Sequence, residues 1–457
     1  MRVTLVGCGQ MGRAAAHALA GDPGTAELRL LDRDPARAGA LRDWLRDHPG
    51  GPGRAAGIRV VTDLETALAG SDVVAAAMPW APTRTTLAAA ARAGVPVASV
   101  TRPPTAELAE LAAAMEESGG TALLPFGLEP GLTELLAVHL ARRLDRVRTL
   151  DIACGGIPSE PREPLGYTAF FGGENDHHLP IAPREALALD HGRPVSHPRF
   201  SGVVTRDYPG IGPLEAYHDG MTPWLGEHPA LRDADCTQKT LRRPGFAGTV
   251  NGLDRLGLLA DRPVEVDGAR VVPRRVVERV LAPRVRARPG DRDLVVLDLV
   301  ARGELAGRPA AFRTTVLDRA DEPTGLSAMA RTTGFTLAEG ARLLAGGAVT
   351  GPGWLKPHLA LPEELTARVM RSLTGRGIGW EPAHEVTDGP GHPGGPEDAG
   401  GPGDPGGSGA LDGPGGAGGP GDPAHRAGPA HRTSAHRTPA HRAAPAPEAT
   451  DAERPHQ

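Results

Sequence analysis

Val3-Thr4-Leu5-Val6-Gly7-Cys8-Gly9-Gln10-Met11-Gly12, followed by the small-residue run Arg13-Ala14-Ala15-Ala16-His17-Ala18-Leu19-Ala20, decides how the first part of this chain folds. An apolar strand enters G-x-G-x-x-G, and a helix opens directly after it. Gly7 permits the tight turn, Gly9 lets the backbone approach a pyrophosphate, and Gly12 lets helix and strand pack closely. Gln10 and Met11 open the helix, whose first turn offers free N–H groups and partial positive charge to an anion. Asp32 follows 20 residues after Gly12. The glycine motif alone is a weak signal, but strand, turn, helix and acid in this order predict a dinucleotide site.

Working outward, short apolar runs alternate with alanine-rich stretches through the first 125 residues. Strands are predicted at Val3–Val6, Leu28–Leu31, Arg59–Val61, Val73–Ala77, Pro96–Val100 and Ala122–Pro125. The pattern is that of an α/β doubly wound parallel sheet, and Gly21-Asp22-Pro23-Gly24 stops its first helix. Ligands collect beyond the carboxyl ends of such strands, so Ala77, Met78, Pro79 and Thr101 join the candidate cofactor residues. Asp32 suits both ribose hydroxyls and repels a 2′-phosphate, which favours NAD. Arg33, directly after it, is suited to stack on adenine or to hold a 2′-phosphate, so NADP stays open.

The formal net charge of -5 gives no general case for nucleic acid or an anionic membrane as partner. Lys239 and Lys356 are the only lysines beside 48 arginines, a bias of coding composition. No run of about 20 apolar residues occurs, and the chain opens as a strand, so a cytoplasmic protein is expected. Cys8, Cys154 and Cys236 have no metal-ligand spacing and are expected as buried thiols. Gly and Pro number 62 and 46, and residues 381–457 hold 17 and 14 of them with almost nothing to build a core. That stretch, with Ala-His-Arg beginning at residues 424, 430, 435 and 440, is expected to be a disordered tail rather than a repeat fold or a metal site.

Past Phe126, Leu132, Leu135, Leu136, Leu140 and Leu144 fall at helical spacing, with His139 on the same face as a core histidine. Strands are predicted at Val147–Ala153, Arg262–Val272, Arg275–Val280, Leu294–Val300 and Ala310–Leu317, forming a mostly antiparallel sheet. A helix over Leu326–Gly346 is expected to pack back on the first domain. The adjacent His177 and His178 read as a polar loop, not as an i, i+4 metal pair.

Several dispersed stretches then stand in a telling order: Phe126-Gly127-Leu128-Glu129-Pro130-Gly131-Leu132, Cys154-Gly155-Gly156-Ile157-Pro158, Pro164-Leu165-Gly166-Tyr167, Gly212-Pro213-Leu214-Glu215-Ala216-Tyr217-His218, Lys239-Thr240-Leu241-Arg242 and Met329-Ala330-Arg331-Thr332-Thr333. Together they resemble the saccharopine dehydrogenase family, nearest to its L-lysine 6-dehydrogenase branch, from Met1 to about Trp380. The resemblance implies a Rossmann domain at 1–125, an α+β catalytic and dimerisation domain at 126–325, and a helical return segment at 326–380. A homodimer or higher homo-oligomer acting on a small amino acid or amine follows. It also implies redox chemistry at a carbon bearing an amine, with a nicotinamide cofactor. Two positions depart from the lysine enzymes: Val100-Thr101-Arg102-Pro103-Pro104 stands where they carry Gly-Gly-His, and Glu129 where they carry an apolar residue.

Oxidising an amine requires that the carbon be positioned, the amine kept neutral and protons moved for the water step. No metal is needed. His218 is the first candidate for proton transfer, since an unperturbed imidazole titrates at about 6.5, and Tyr167 is the second. Arg242 suits a substrate carboxylate with its planar fork, and Glu129 and Glu215 suit a substrate ammonium. A saccharopine-type reductase and a non-catalytic dinucleotide-binding protein with a recruiting tail are the alternatives.

Overall fold

The computed structural model describes residues 1–47, 57–170 and 179–386. His177, His178 and the Ala-His-Arg stretch lie outside the described residues. Strands β1 (Arg2–Val6), β2 (Glu27–Leu31), β3 (Gly57–Val60), β4 (Val73–Ala76), β5 (Val97–Ser99) and β6 (Thr121–Leu123) are parallel neighbours in the order 3-2-1-4-5-6. Their apolar runs are buried because helices cover both faces of the sheet. The chain reverses direction across the sheet between β1 and β4, which opens a crevice at their carboxyl ends.

The second sheet begins with β7 (Arg146–Pro158) and continues through β8 (Glu185–Asp190), β9 (Arg193–Pro198), β10 (Val204–Tyr208), β11 (Gly212–His218) and β12 (Asp235–Arg242). A small ribbon of β13 (Val264–Val266) and β14 (Ala269–Val271) follows, then β15 (Asp293–Leu305) and β16 (Arg308–Arg319). The order is 10-11-12-7-15-16, with β8 and β9 attached beside β12. Only β12 with β7 is a parallel pair among these; the other pairs are antiparallel. Helix Leu132–Ala141, buried at all ten positions, packs against β7 and β15.

Three expectations are corrected. Arg275–Val280 is not a strand but part of helix Pro273–Val285: its valines favour extended chain locally, yet Val277, Leu281 and Val285 recur at helical spacing, and Pro273 sits at the first turn where proline starts a helix. Arg262–Val272 is the short ribbon, not one long strand. A further strand, β17 (Gly353–Leu355), returns to the first sheet beside β6, and β18 (Gly379–Glu385) runs beside β16, so ordered chain continues past residue 380.

Helix Ala328–Ala345 packs on the first sheet's helix Gln10–Ala20. It crosses helix Gln10–Ala20 so closely that a Cβ on Gly334 would lie 2.5 Å from the Met11 carbonyl oxygen and 2.7 Å from Ala14 Cβ. The small run Ala14-Ala15-Ala16 makes that approach possible. Cys8, Cys154 and Cys236 are buried free thiols. His139 is buried with its Nδ1 2.5 Å from Glu363 Oε1. Among the described residues no helix is long and apolar enough to cross a membrane.

Candidate active site

At the end of β1, Gly7 holds φ +94°, and a Cβ there would come 2.5 Å from the Ala77 carbonyl oxygen. A Cβ on Gly12 would meet the Gly7 oxygen at 1.8 Å. Gly9 has nothing within 4 Å of its absent Cβ, so open space stands before the first turn of the helix begun by Gln10 and Met11. That is the cradle a pyrophosphate requires. Asp32 accepts hydrogen bonds from the Cys8 N–H (2.7 Å) and the Asp34 N–H (2.9 Å), so its carboxylate is fixed at the crevice wall, and Arg37 lies 3.8 Å away. Arg33 is exposed beside it. Across the crevice, Ala77 donates to Val6, Pro79 caps helix Trp80–Arg92, and the Thr101 hydroxyl donates to the Met78 carbonyl. The residues present therefore fit a nicotinamide dinucleotide, NAD or NADP.

Strand alternation sorts the second sheet into two faces. Register pairs Glu215 with Arg242 and Tyr217 with Thr240, while Thr240 lies beside Cys154 of β7. Cys154, Gln238, Thr240, Arg242, Glu215 and Tyr217 thus share one face. Above it lies Glu129, in the turn that leads from β6 to helix Leu132–Ala141. Glu129 is open to solvent yet walled by protein on its sides, as a group in a cleft is. Gln238 Nε2 and the Cys154 thiol donate to it. Desolvation, with the nearby Asp219 carboxylate second, pushes its carboxyl up to about 7. At neutral pH it both accepts and gives protons.

Asp219 is clasped by Arg199 (2.5 Å), Arg184 (2.7 Å) and the Thr240 hydroxyl (2.6 Å). Burial opposes its ionisation, but the two guanidinium groups and the hydroxyl outweigh burial and hold it below the usual carboxylate range. Arg242 threads between aromatic rings, 5.3 Å from the centre of Tyr167 and 5.9 Å from Phe246. Among the described residues no carboxylate lies within 4 Å of it. Glu129 and Asp219 share its field at longer range and help to keep it charged, and its Nε has no hydrogen-bond partner among the described residues. The Tyr217 hydroxyl and Gln238 Oε1, on the same face, also have no hydrogen-bond partner among the described residues.

The structure therefore brings together Glu129, Arg242 and Tyr167 and separates two other candidates from them. His218 is one position out of phase with Tyr217 and projects from the opposite face. Its ring stacks on His197 at 4.3 Å between centroids and rests against Gly202. Desolvation, then Lys239, depresses it to about 4, so it is neutral at physiological pH and removed from the cleft. Glu215 faces the right way but accepts the N–H groups of Gly245 (2.8 Å) and Ala247 (2.5 Å), and so caps helix Phe246–Arg255. Asp219, Gln238, Arg184 and Arg199 were not singled out from the sequence. Period-two reading from Glu215 through Tyr217 reaches Asp219; Gln238 depends on register, and Arg184 and Arg199 flank the hairpin β8–β9, which spacing does not reveal.

Residues 127–378 match the family described as saccharopine dehydrogenase C-terminal domain. The chain belongs to the saccharopine dehydrogenase family. Residues 2–103 match the family described as NADP oxidoreductase, coenzyme F420-dependent. Among solved structures, the chain is similar to apo saccharopine dehydrogenase (L-Glu forming) from Saccharomyces cerevisiae, at 21% identity and a TM-score of 0.69 over 84% of this chain and 100% of that one. That likeness shows a shared fold. The chain is also similar to the amine dehydrogenase of Mycobacterium smegmatis, at 14% identity over 79% of this chain and 96% of that one, with a TM-score of 0.40.

Proposed function

We propose that this member of the saccharopine dehydrogenase family is an NAD(P)-dependent oxidoreductase acting at the amine-bearing carbon of an amino acid. The reaction we favour is oxidative deamination of the ε-amine of L-lysine or a close relative, giving a semialdehyde that closes to a cyclic imine. The observation that carries this reading is Glu129, an ionisable group held near neutrality in an open cleft, above a sheet face that carries an enclosed arginine with no carboxylate within 4 Å among the described residues. Catalytic acids and bases work best with pKa values near the operating pH.

Arg242 holds the substrate carboxylate as a charge-assisted pair, with Tyr167 packed against the same guanidinium. Glu129 removes a proton from the substrate ammonium, leaving the neutral amine from which hydride can depart. A bound nicotinamide supplies the hydride acceptor. Glu129, now protonated, returns its proton as water adds to the imine and ammonia leaves. Asp32 favours NAD over NADP.

A second reading, a reductase that joins an amino acid to an aldehyde through a secondary amine, is favoured by the cleft mouth. Arg102 reaches from beyond β5 to the Met221 carbonyl (3.1 Å) and lies in the field of Arg184. Among the described residues Arg102, Arg184 and Arg199 have a single carboxylate within 4 Å, Asp219. Such a surplus suits a substrate with an added carboxylate.

The test is to supply purified protein with lysine, related amino acids and diamines, each with NAD and with NADP, and follow reduced nicotinamide. Reduction with lysine supports the leading reading. Faster consumption of reduced cofactor when an aldehyde and an amino acid are both present transfers the function to the second. No turnover in either direction defeats both.

A further inference from the structure

The chain has three tyrosines, and the fold treats two of their hydroxyls differently. Tyr208 and Tyr217 stand on the paired strands β10 and β11, and both side chains are buried. The Tyr208 hydroxyl donates to Asp298 Oδ2 at 3.2 Å. Tyr217 is 0% exposed, and its hydroxyl has no partner among the described residues. A buried hydroxyl left unmatched has given up its hydrogen bonds to water, and phenylalanine would fill the same space without that loss. Packing of the ring therefore does not account for a tyrosine at this position.

The surroundings of the hydroxyl show what is missing. Tyr217 pairs with Thr240 across β11 and β12, so Arg242, two residues on, is its diagonal neighbour on the same face, within reach of a long side chain. Both sit around Phe246: the Tyr217 ring stacks on it at 6.1 Å and 7°, and the Arg242 guanidinium lies 5.9 Å from its centre. Burial pushes the phenol above its usual range, so it keeps its proton at neutral pH and is a donor beside the cation. The Arg242 Nε–H also lacks an acceptor among the described residues. The carboxylates of the same face are committed elsewhere, Glu215 to the Gly245 and Ala247 N–H groups and Asp219 to Arg184 and Arg199. Two neighbouring donors without an acceptor call for a ligand that brings two acceptor oxygens, as a carboxylate does. Arg242 is the more open of the two, so a ligand reaches the pair from the arginine side.

We infer that the Tyr217 hydroxyl is a specificity determinant of this site: it donates to the substrate carboxylate that Arg242 holds, so that the site selects amino acids over amines that lack the carboxylate. The inference rests on the proposed reading of Arg242 as the carboxylate partner. L-Lysine and 1,5-diaminopentane make the comparison, since they differ by the carboxylate alone. A hydroxyl that only packs, or that holds a buried water, would act on both ligands alike.

Equilibrium binding tests this without turnover. Calorimetric titration of the full chain, saturated with reduced nicotinamide cofactor, with L-lysine, L-glutamate and 1,5-diaminopentane should show tighter binding of an amino acid than of the diamine. Tyr217→Phe should raise the dissociation constant for that amino acid by about 10-fold or more, as loss of a hydrogen bond to a charged group does, and leave that of the diamine within about 2-fold. Its melting temperature without ligand should equal or exceed that of wild type, since the hydroxyl removed is unmatched in the fold. A wild type with no preference for the carboxylate, unchanged amino-acid binding in the variant, a loss shared equally by the diamine, or a lower melting temperature would overturn the inference. The expected binding pattern with no oxidation of any ligand would defeat the proposed reaction and leave this inference standing. Lysine turnover with an unchanged KM in Tyr217→Phe would do the reverse.

Discussion

Glu129 shows how a side chain acquires function from its walls. A carboxyl in water titrates near 4.5, and here desolvation and the Asp219 charge lift it to about 7. Glu129→Gln should therefore lower kcat by about 100-fold or more and remove an inflection near pH 7 from the kcat/KM profile. Its stability effect has a definite sign. A carboxyl raised in the fold prefers the protonated form, so its contribution to stability declines as pH rises from about 4.5 through 7. Melting curves of Glu129→Gln should gain on wild type over that window and hold a constant lead above it; a gap independent of pH would refute the desolvation account. His218→Gln makes the contrast. Because His218 lies on the opposite face and is depressed to about 4, its replacement should leave kcat within about 2-fold, whereas a loss of the size set for a general acid or base would return it to the cleft. The sequence made His218 attractive through its unperturbed pKa and its motif. One step of strand alternation, invisible without the register, assigns the cleft to Tyr217 and Asp219 instead.

Among elements, legibility followed the physics of each signal. The six strands of the first sheet could be read because buried parallel strands are continuous apolar runs, and the glycine turn because each of its glycines answers a separate steric demand. Helix Pro273–Val285 is hidden in the sequence because Val276, Val277 and Val280 satisfy β preference and helical spacing at once. β17 has three residues, too few for any period, and exists because β6 offers it an edge. The crossing of helices Gln10–Ala20 and Ala328–Ala345 was only partly visible, as a run of small residues on one side. Gly334 is its counterpart. A methyl group there meets the Met11 carbonyl oxygen at 2.5 Å and the Ala15 nitrogen at 2.7 Å, backbone atoms that cannot swing aside. Gly334→Ala should cost about 1–3 kcal/mol as an overpacked contact, outweighing the roughly 1 kcal/mol gained by replacing glycine within a helix. Urea unfolding measures the balance. The affected helix also presents the Gln10 and Met11 end to the cofactor, so KM for NAD should rise with the loss of stability; a variant as stable as wild type would show that the crossing has room to relax.

At the scale of the described residues, the stretch 293–386 fastens the two sheets together. Asp293, at the start of β15 in the second sheet, accepts the N–H groups of Ala328 (2.7 Å) and Met329 (2.9 Å), and so caps a helix that packs on the first domain. β17 then joins the first sheet and β18 the second. Composition alone set the end of the folded part at residue 380, since Glu381 opens a region dominated by glycine, proline and polar residues. Backbone pairing needs no apolar side chain, and β18 continues past that point: Glu381 lies opposite Thr315, His384 opposite Arg313 and Glu385 opposite Phe312. The Thr314 hydroxyl donates to the Glu381 carbonyl at 2.7 Å, and the Val386 N–H to Ala311 at 2.9 Å. Two truncations separate composition from pairing. A chain ending at residue 386 keeps these bonds, and one ending at residue 380 loses them and exposes the edge of β16. At about 1 kcal/mol net for each hydrogen bond, the shorter chain should unfold at lower urea concentration, by on the order of 2–3 kcal/mol. Equal midpoints would mean that residues 381–386 add pairing without stability, and the boundary drawn from composition would then serve as well as the structural one.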